Sequence, residues 1–175
     1  IIFVDGGLGR VGNYDINNKS FKWIDNSYPL RAFHGSTLYS SFNTIFAIGG
    51  NGEFSTNRKN LLQFNRFGRG EWWEHKITNS HIFDKNYFSL ALHYVKGAEN
   101  KKDGYYYFEY SQNEETLKAY SLKPINQSNN IYTAKLVNEI NIDLNLELIR
   151  AFAFTNHRSY KGLINITSSL FFDVN

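Results

Sequence analysis

Thr44-Ile45-Phe46-Ala47-Ile48 runs directly into Gly49-Gly50. Thr44 and the four apolar residues after it, β-branched and aromatic among them, read as a buried strand closed by a glycine pair. The same order occurs upstream, where Ile1-Ile2-Phe3-Val4 leads through Asp5 into Gly6-Gly7. From Gly6 to Gly49 is 43 residues. After the first pair come Tyr14-Asp15-Ile16 and then Phe21-Lys22-Trp23; after the second come Leu61-Leu62-Gln63-Phe64-Asn65 and then Glu71-Trp72-Trp73. Each unit reads as apolar strand, glycine pair, polar loop, short strand ending near an aromatic, polar turn, tryptophan. A glycine pair suits a strand end where backbones approach closely. A tryptophan after the following turn is large enough to fill the gap between neighbouring sheets. A period of about 40–50 residues with this order predicts four-stranded antiparallel units stacked as the blades of a β-propeller.

The order Arg31-Ala32-Phe33-His34, then Gly49-Gly50, then Phe64, then Trp72 resembles a kelch repeat. Residues 1–24 resemble the last three strands of a preceding repeat, through Gly6, Gly7, Tyr14 and Trp23. The resemblance implies an all-β, kelch-type propeller segment. Residues 1–28 are then the remainder of one blade, 29–80 a second, 81–141 a degenerate third and 142–175 the start of a fourth. Kelch-type propellers commonly close with six or seven blades, so the resemblance implies an open arc here. The expectation is one partial propeller domain, completed by further sequence or another chain, because an open arc exposes strand edges and inter-blade faces.

Beyond residue 80 the pattern weakens. Tyr87–Val95, Gly104–Tyr110, Thr116–Leu122 and Ile131–Val137 read as four strands, with neither a glycine pair nor a tryptophan. A helix over Leu136–Ile140 is the competing reading of the last of these. Ile142, Leu144, Leu146 and Leu148 alternate with polar residues, the period of a strand. Leu148-Ile149-Arg150-Ala151-Phe152 repeats the Arg31-Ala32-Phe33 triplet, and two more strands are expected over 162–166 and 169–174.

Composition supports the β reading and removes several functions. The 175 residues are 42% hydrophobic and 17% aromatic, with only 2 Pro. There is no Cys, so disulfides, thiolate metal sites, Cys nucleophiles and a copper-radical centre with a Cys–Tyr crosslink are excluded within this stretch. The net charge of +3 is spread over scattered side chains, without the concentrated stripe that nucleic acid requires. No apolar run is long enough to cross a bilayer as a helix. The chain starts at Ile1 and contains no Met, as expected of a processed, cut or excerpted chain. Periplasm, cell surface and cytoplasm are all compatible with it. Three sequons, at Asn18, Asn126 and Asn165, occur at the rate this Asn-, Ser- and Thr-rich composition produces by chance.

Few residues point to chemistry. His34, His75, His81, His93 and His157 include no helical zinc spacing, and no metal or cofactor is expected. His75 and His81 are placed on either side of a turn. No nucleophile elbow, phosphate loop or other catalytic signature is present. Arg31 and Arg150 begin first strands, which line the channel of a propeller. Two guanidinium forks there suit a carboxylate, and the alternative is pairing with strand-end carbonyls or a neighbouring acid. Adjacent strand residues face opposite ways, so one of Trp72 and Trp73 belongs between sheets and the other faces out. The outward one, assigned to Trp73, is a candidate to stack on a sugar or anchor a protein. The resulting expectation is a non-enzymatic interaction module for a protein or glycan partner, with Arg31, His34, Trp73 and Arg150 as its binding residues. The alternative is a sugar-active propeller enzyme resembling the sialic acid mutarotases, with an Arg-lined channel.

Overall fold

A computed structural model describes residues 1–5, 9–25, 36–40, 44–50, 60–78, 87–95, 104–125, 131–143, 152–157, 160–165 and 171–173, the last three segments by their backbone. The chain divides into two compact units, Ile1–Glu74 and His75–Asn175. All regular structure among the described residues is β-strand.

In the first unit, β1 (Ile2–Asp5), β2 (Arg10–Asp15) and β3 (Ser20–Trp23) form an antiparallel sheet of three. Its two faces differ in chemistry because side chains alternate along each strand. Val4 pairs across from Val11, and Phe3, Gly12 and Trp23 form a row on the other face. The strands β4 (Thr37–Ser40), β5 (Thr44–Ile48), β6 (Asn60–Asn65) and β7 (Trp72–Thr78, whose residues from His75 onward belong to the second unit) follow one another as hydrogen-bonded neighbours. Ile45, Ala47, Leu62, Phe64 and Trp72 make one buried face, closed by Val11, Ile2 and Val4 from the first sheet and by Ile24 just after it. Burying such side chains stabilises by about 1.5–3 kcal/mol each, which makes this contact the core of the unit. Gly49 and Gly50 end β5, both buried and both with positive φ.

In the second unit, β8 (Tyr87–Val95), β9 (Gly104–Ser111), β10 (Thr116–Pro124) and β11 (Ile131–Asn141) form a second antiparallel run of four. Ala91, Phe108, Tyr110, Leu117 and Ala119 bury its apolar face. The strands β12 (Phe152–His157), β13 (Tyr160–Asn165) and β14 (Phe171–Asp173) make a separate sheet of three. β12 runs close to β8 without joining its ladder.

One expectation about the sheets requires correction. The two groups of four are not separate sheets. Lys76–Thr78 at the end of β7 pair in parallel with Ile131–Thr133 at the start of β11, giving one mixed sheet in the order β4-β5-β6-β7-β11-β10-β9-β8. The cause is two edge strands left with unpaired backbone groups, which satisfy each other where they meet. Thr78 adds a bond from its hydroxyl to the Tyr132 carbonyl, 3.1 Å. The helical alternative over Leu136–Ile140 is also overturned, since these residues lie within β11. A β-bulge explains the ambiguity. Tyr120 pairs with Leu136 and Ala119 with Asn138, so Val137 is an extra residue and the period of two is interrupted there. His75, expected beside a turn, lies inside β7 and is buried.

A repeat emerges from backbone geometry where residue types had faded. The β2–β3, β6–β7 and β9–β10 hairpins share one plan. The next-to-last residue of the first strand is aromatic: Tyr14, Phe64 or Tyr110. A polar residue follows, Asp15, Asn65 or Ser111, and then the turn. The turn ends on a residue of left-handed backbone: Lys19 (φ 49°), Gly70 (74°) or Glu115 (50°). Two residues on stands a large apolar side chain, Phe21, Trp72 or Leu117. In two of the turns the side chain after the aromatic caps the reversal. Asp15 accepts from the Asn17 and Asn18 amides at 2.9 and 3.2 Å, and Asn65 accepts from the Phe67 amide at 3.1 Å.

Candidate functional site

The β6–β7 hairpin separates the adjacent tryptophans. Trp72 is buried, its ring 5.3 Å from that of Phe64, and its indole N–H donates to the Gly9 carbonyl at 2.8 Å. That bond fastens the hairpin to the loop before β2, because a buried indole N–H needs an acceptor. Trp73 points the other way and is 59% exposed. At the tip Phe67 is 70% exposed, with the Arg66 guanidinium 5.8 Å from its ring centre, and Arg69 is exposed beside it. The Asn60 amide donates to the Glu74 carboxylate across the two strands. Chemically this is a braced ribbon carrying two open aromatic rings and two cations. It can stack against a sugar or an apolar side chain and attract a carboxylate.

Of the other residues singled out from sequence, Phe64 is buried beneath Trp72 and Tyr14 is half-buried on β2. Trp23 is 42% exposed on β3, with the Arg10 guanidinium 4.2 Å above its ring. Gly6, Gly7, Arg31, His34, His81 and Arg150 lie outside the described residues, so no channel site is assembled from them. His93 is half-buried on β8, and burial lowers its pKa. His75 packs edge-to-face on Tyr132, with centroids 5.6 Å apart. Among the described residues no group of three His, Asp or Glu side chains is placed to hold a metal ion. No helix there is long and apolar enough to cross a membrane.

Sequence reading missed a buried polar cluster in the second unit. Glu109, 2% exposed, sits in the ladder between Ser89 of β8 and Lys118 of β10. Tyr107 and Tyr120 both hydrogen-bond its carboxylate. Burial, followed by the Glu109 charge, pushes both hydroxyls above the ordinary tyrosine range, so they remain protonated donors. Tyr107 also shares a 2.9 Å bond with the Ser89 hydroxyl. Lys118 forms an ion pair with Glu114; burial lowers its pKa, but the Glu114 pairing together with the Glu139 and Glu109 charges raises it overall. The available signal was alternation. Tyr105, Tyr107, Glu109 and Ser111 share one face of β9, and all four end in polar atoms.

The sequence matches no protein-family model, and no curated protein is significantly similar to it.

Proposed function

We propose that the chain is a non-enzymatic binding module, a segment of a kelch-like propeller whose β6–β7 hairpin meets a protein or glycan partner through Trp73 and Phe67. The observation that carries this reading is the division of the tryptophan pair. Trp72 anchors the ribbon from beneath, so Trp73 is offered at 59% exposure from a support that is already ordered. A ring held in place loses little entropy on binding, and exposed tryptophan is the residue type most enriched at interface hot spots. Arg66 and Arg69 bias the partner toward acidic groups. The propeller reading draws support from the antiparallel order of β4 to β7 and of β8 to β11, each a run of four consecutive strands within the mixed sheet. It also draws on the recurring hairpins and on the closeness of β12 to β8, both first strands of their groups.

The test is a binding screen of the 175-residue chain against neutral and sialylated oligosaccharides and acidic peptides, read by tryptophan fluorescence. Trp73→Ala is expected to weaken the best ligand by at least about tenfold, with an unchanged urea midpoint. Equal affinity in that variant, or no binding to any member of the panel, overturns the reading.

A further inference from the structure

The three related hairpins contribute to three equivalent sheet faces, and two of those are buried. Phe64 and Trp72 lie under the aliphatic face of β1–β3, and Tyr110 and Leu117 are buried in the core of the second unit. The third face is open. Phe3, Phe21 and Trp23 are 49%, 48% and 42% exposed. They are nonetheless organised. Phe21 stands edge-to-face with Trp23 at 4.9 Å and with Phe3 at 6.0 Å. Phe21 lies so close over Gly12 that a Cβ there would come within 2.5 Å of its ring. Arg10 covers Trp23 from one side. Three clustered aromatic rings on a flat sheet face form the kind of apolar patch that soluble monomers rarely leave uncovered.

From this equivalence we infer that the outer face of β1–β3 is a docking surface for another antiparallel β-sheet, one that presents branched aliphatic side chains. The first unit already contains the pattern for that contact. There the face of Phe64 and Trp72 is covered by Ile2, Val4, Val11 and Ile24, and a loop carbonyl receives the Trp72 indole. Phe21 occupies the place of Trp72, two residues beyond the left-handed residue of its turn. The sheet that fits over it is therefore built like β1–β3 itself. This inference rests on the stacked-sheet reading and adds the face and the chemistry of what covers it.

The test uses a tandem chain with residues 1–43 duplicated ahead of Ile1, which keeps the Gly6-to-Gly49 interval and supplies a known aliphatic face. The native chain has no Cys, so Phe21→Cys in the original copy provides a single reporter thiol. The exposed turn substitution Ile16→Cys is the control. In the tandem chain the thiol at position 21 should react with a water-soluble disulfide at least about tenfold more slowly than in the 175-residue chain. The thiol at position 16 should react at the same rate in both. Equal rates at position 21 with a folded added copy overturn the inference. An added copy whose amides exchange freely while residues 1–175 remain protected also overturns it, because β1–β3 folds on the equivalent face in the native chain. Trp72→Ala in the native chain separates the two levels: if it loosens β1–β3, the stacking reading stands even when the tandem result is negative.

Discussion

The β6–β7 and β9–β10 hairpins are the same object made from different residues. Both carry an aromatic next to last in the first strand, turn through a left-handed residue and place a large apolar side chain two positions later. The first uses Gly70 and Trp72, and the second uses Glu115 and Leu117. Glycine reaches positive φ without steric cost, whereas an ordinary side chain there costs about 1–2 kcal/mol. The second hairpin accepts that strain, held between the 11-residue β11 on one side and β8 on the other. Backbone reversal is thus the retained feature, and residue identity varies: Lys19 takes the same left-handed position in β2–β3.

Three measurements would break or sharpen this comparison. The largest effect is expected from emptying the apolar position. Trp72→Ala should cost about 3–5 kcal/mol and Leu117→Ala about 2–5 kcal/mol, read from urea unfolding. Trp72→Ala should be the worse of the two because it also strands the Gly9 carbonyl; a negligible loss at either position would break the equivalence. Next come the turn residues, with opposite signs. Gly70→Ala should destabilise by about 1–2 kcal/mol, and Glu115→Gly should stabilise by about 0.5–1 kcal/mol after glycine's own entropy cost. Thermal melting of both variants checks this, and equal signs would count against shared geometry. The smallest effect concerns acid. The Asn18 backbone amide, then its side chain, hold the Asp15 carboxyl below its ordinary 3.8. A lowered folded pKa contributes stability that is present above the ordinary value and lost as pH falls through the lowered one. An NMR titration should place the Asp15 midpoint below 3.8, while the Asn65 counterpart in β6–β7 shows no such step.

Much of the strand order was legible because aromatic and β-branched runs separated by polar stretches carry the period of two on their surface. Tyr87–Val95 and the glycine-ended Thr44–Ile48 match β8 and β5 residue for residue. Trp72 and Trp73 were recognisable as facing opposite ways, since adjacency on a strand requires it. Three features were hidden for physical reasons. The bulge at Val137 inserts a residue and gives Leu136, Val137 and Ile140 a helical spacing. The parallel pairing of β7 with β11 depends on two edges meeting in space, which no local pattern encodes. Glu109 is surrounded by tyrosines whose hydroxyls become donors only once burial and register bring them together. Trp23 is 42% exposed in this chain, and the sequence does not encode what lies above it.

The short ladder between β7 and β11 also bears on the order of folding. A hairpin ladder such as β2–β3 or β9–β10 begins across a turn of a few residues. The partners Lys76 and Ile131 are separated by 55 positions. Closing a loop of that length costs about 2 kcal/mol more than closing a five-residue turn. Three residue pairs, the Thr78 hydroxyl bond and the His75–Tyr132 ring contact offset it, so this seam is expected to form after the hairpins have zipped.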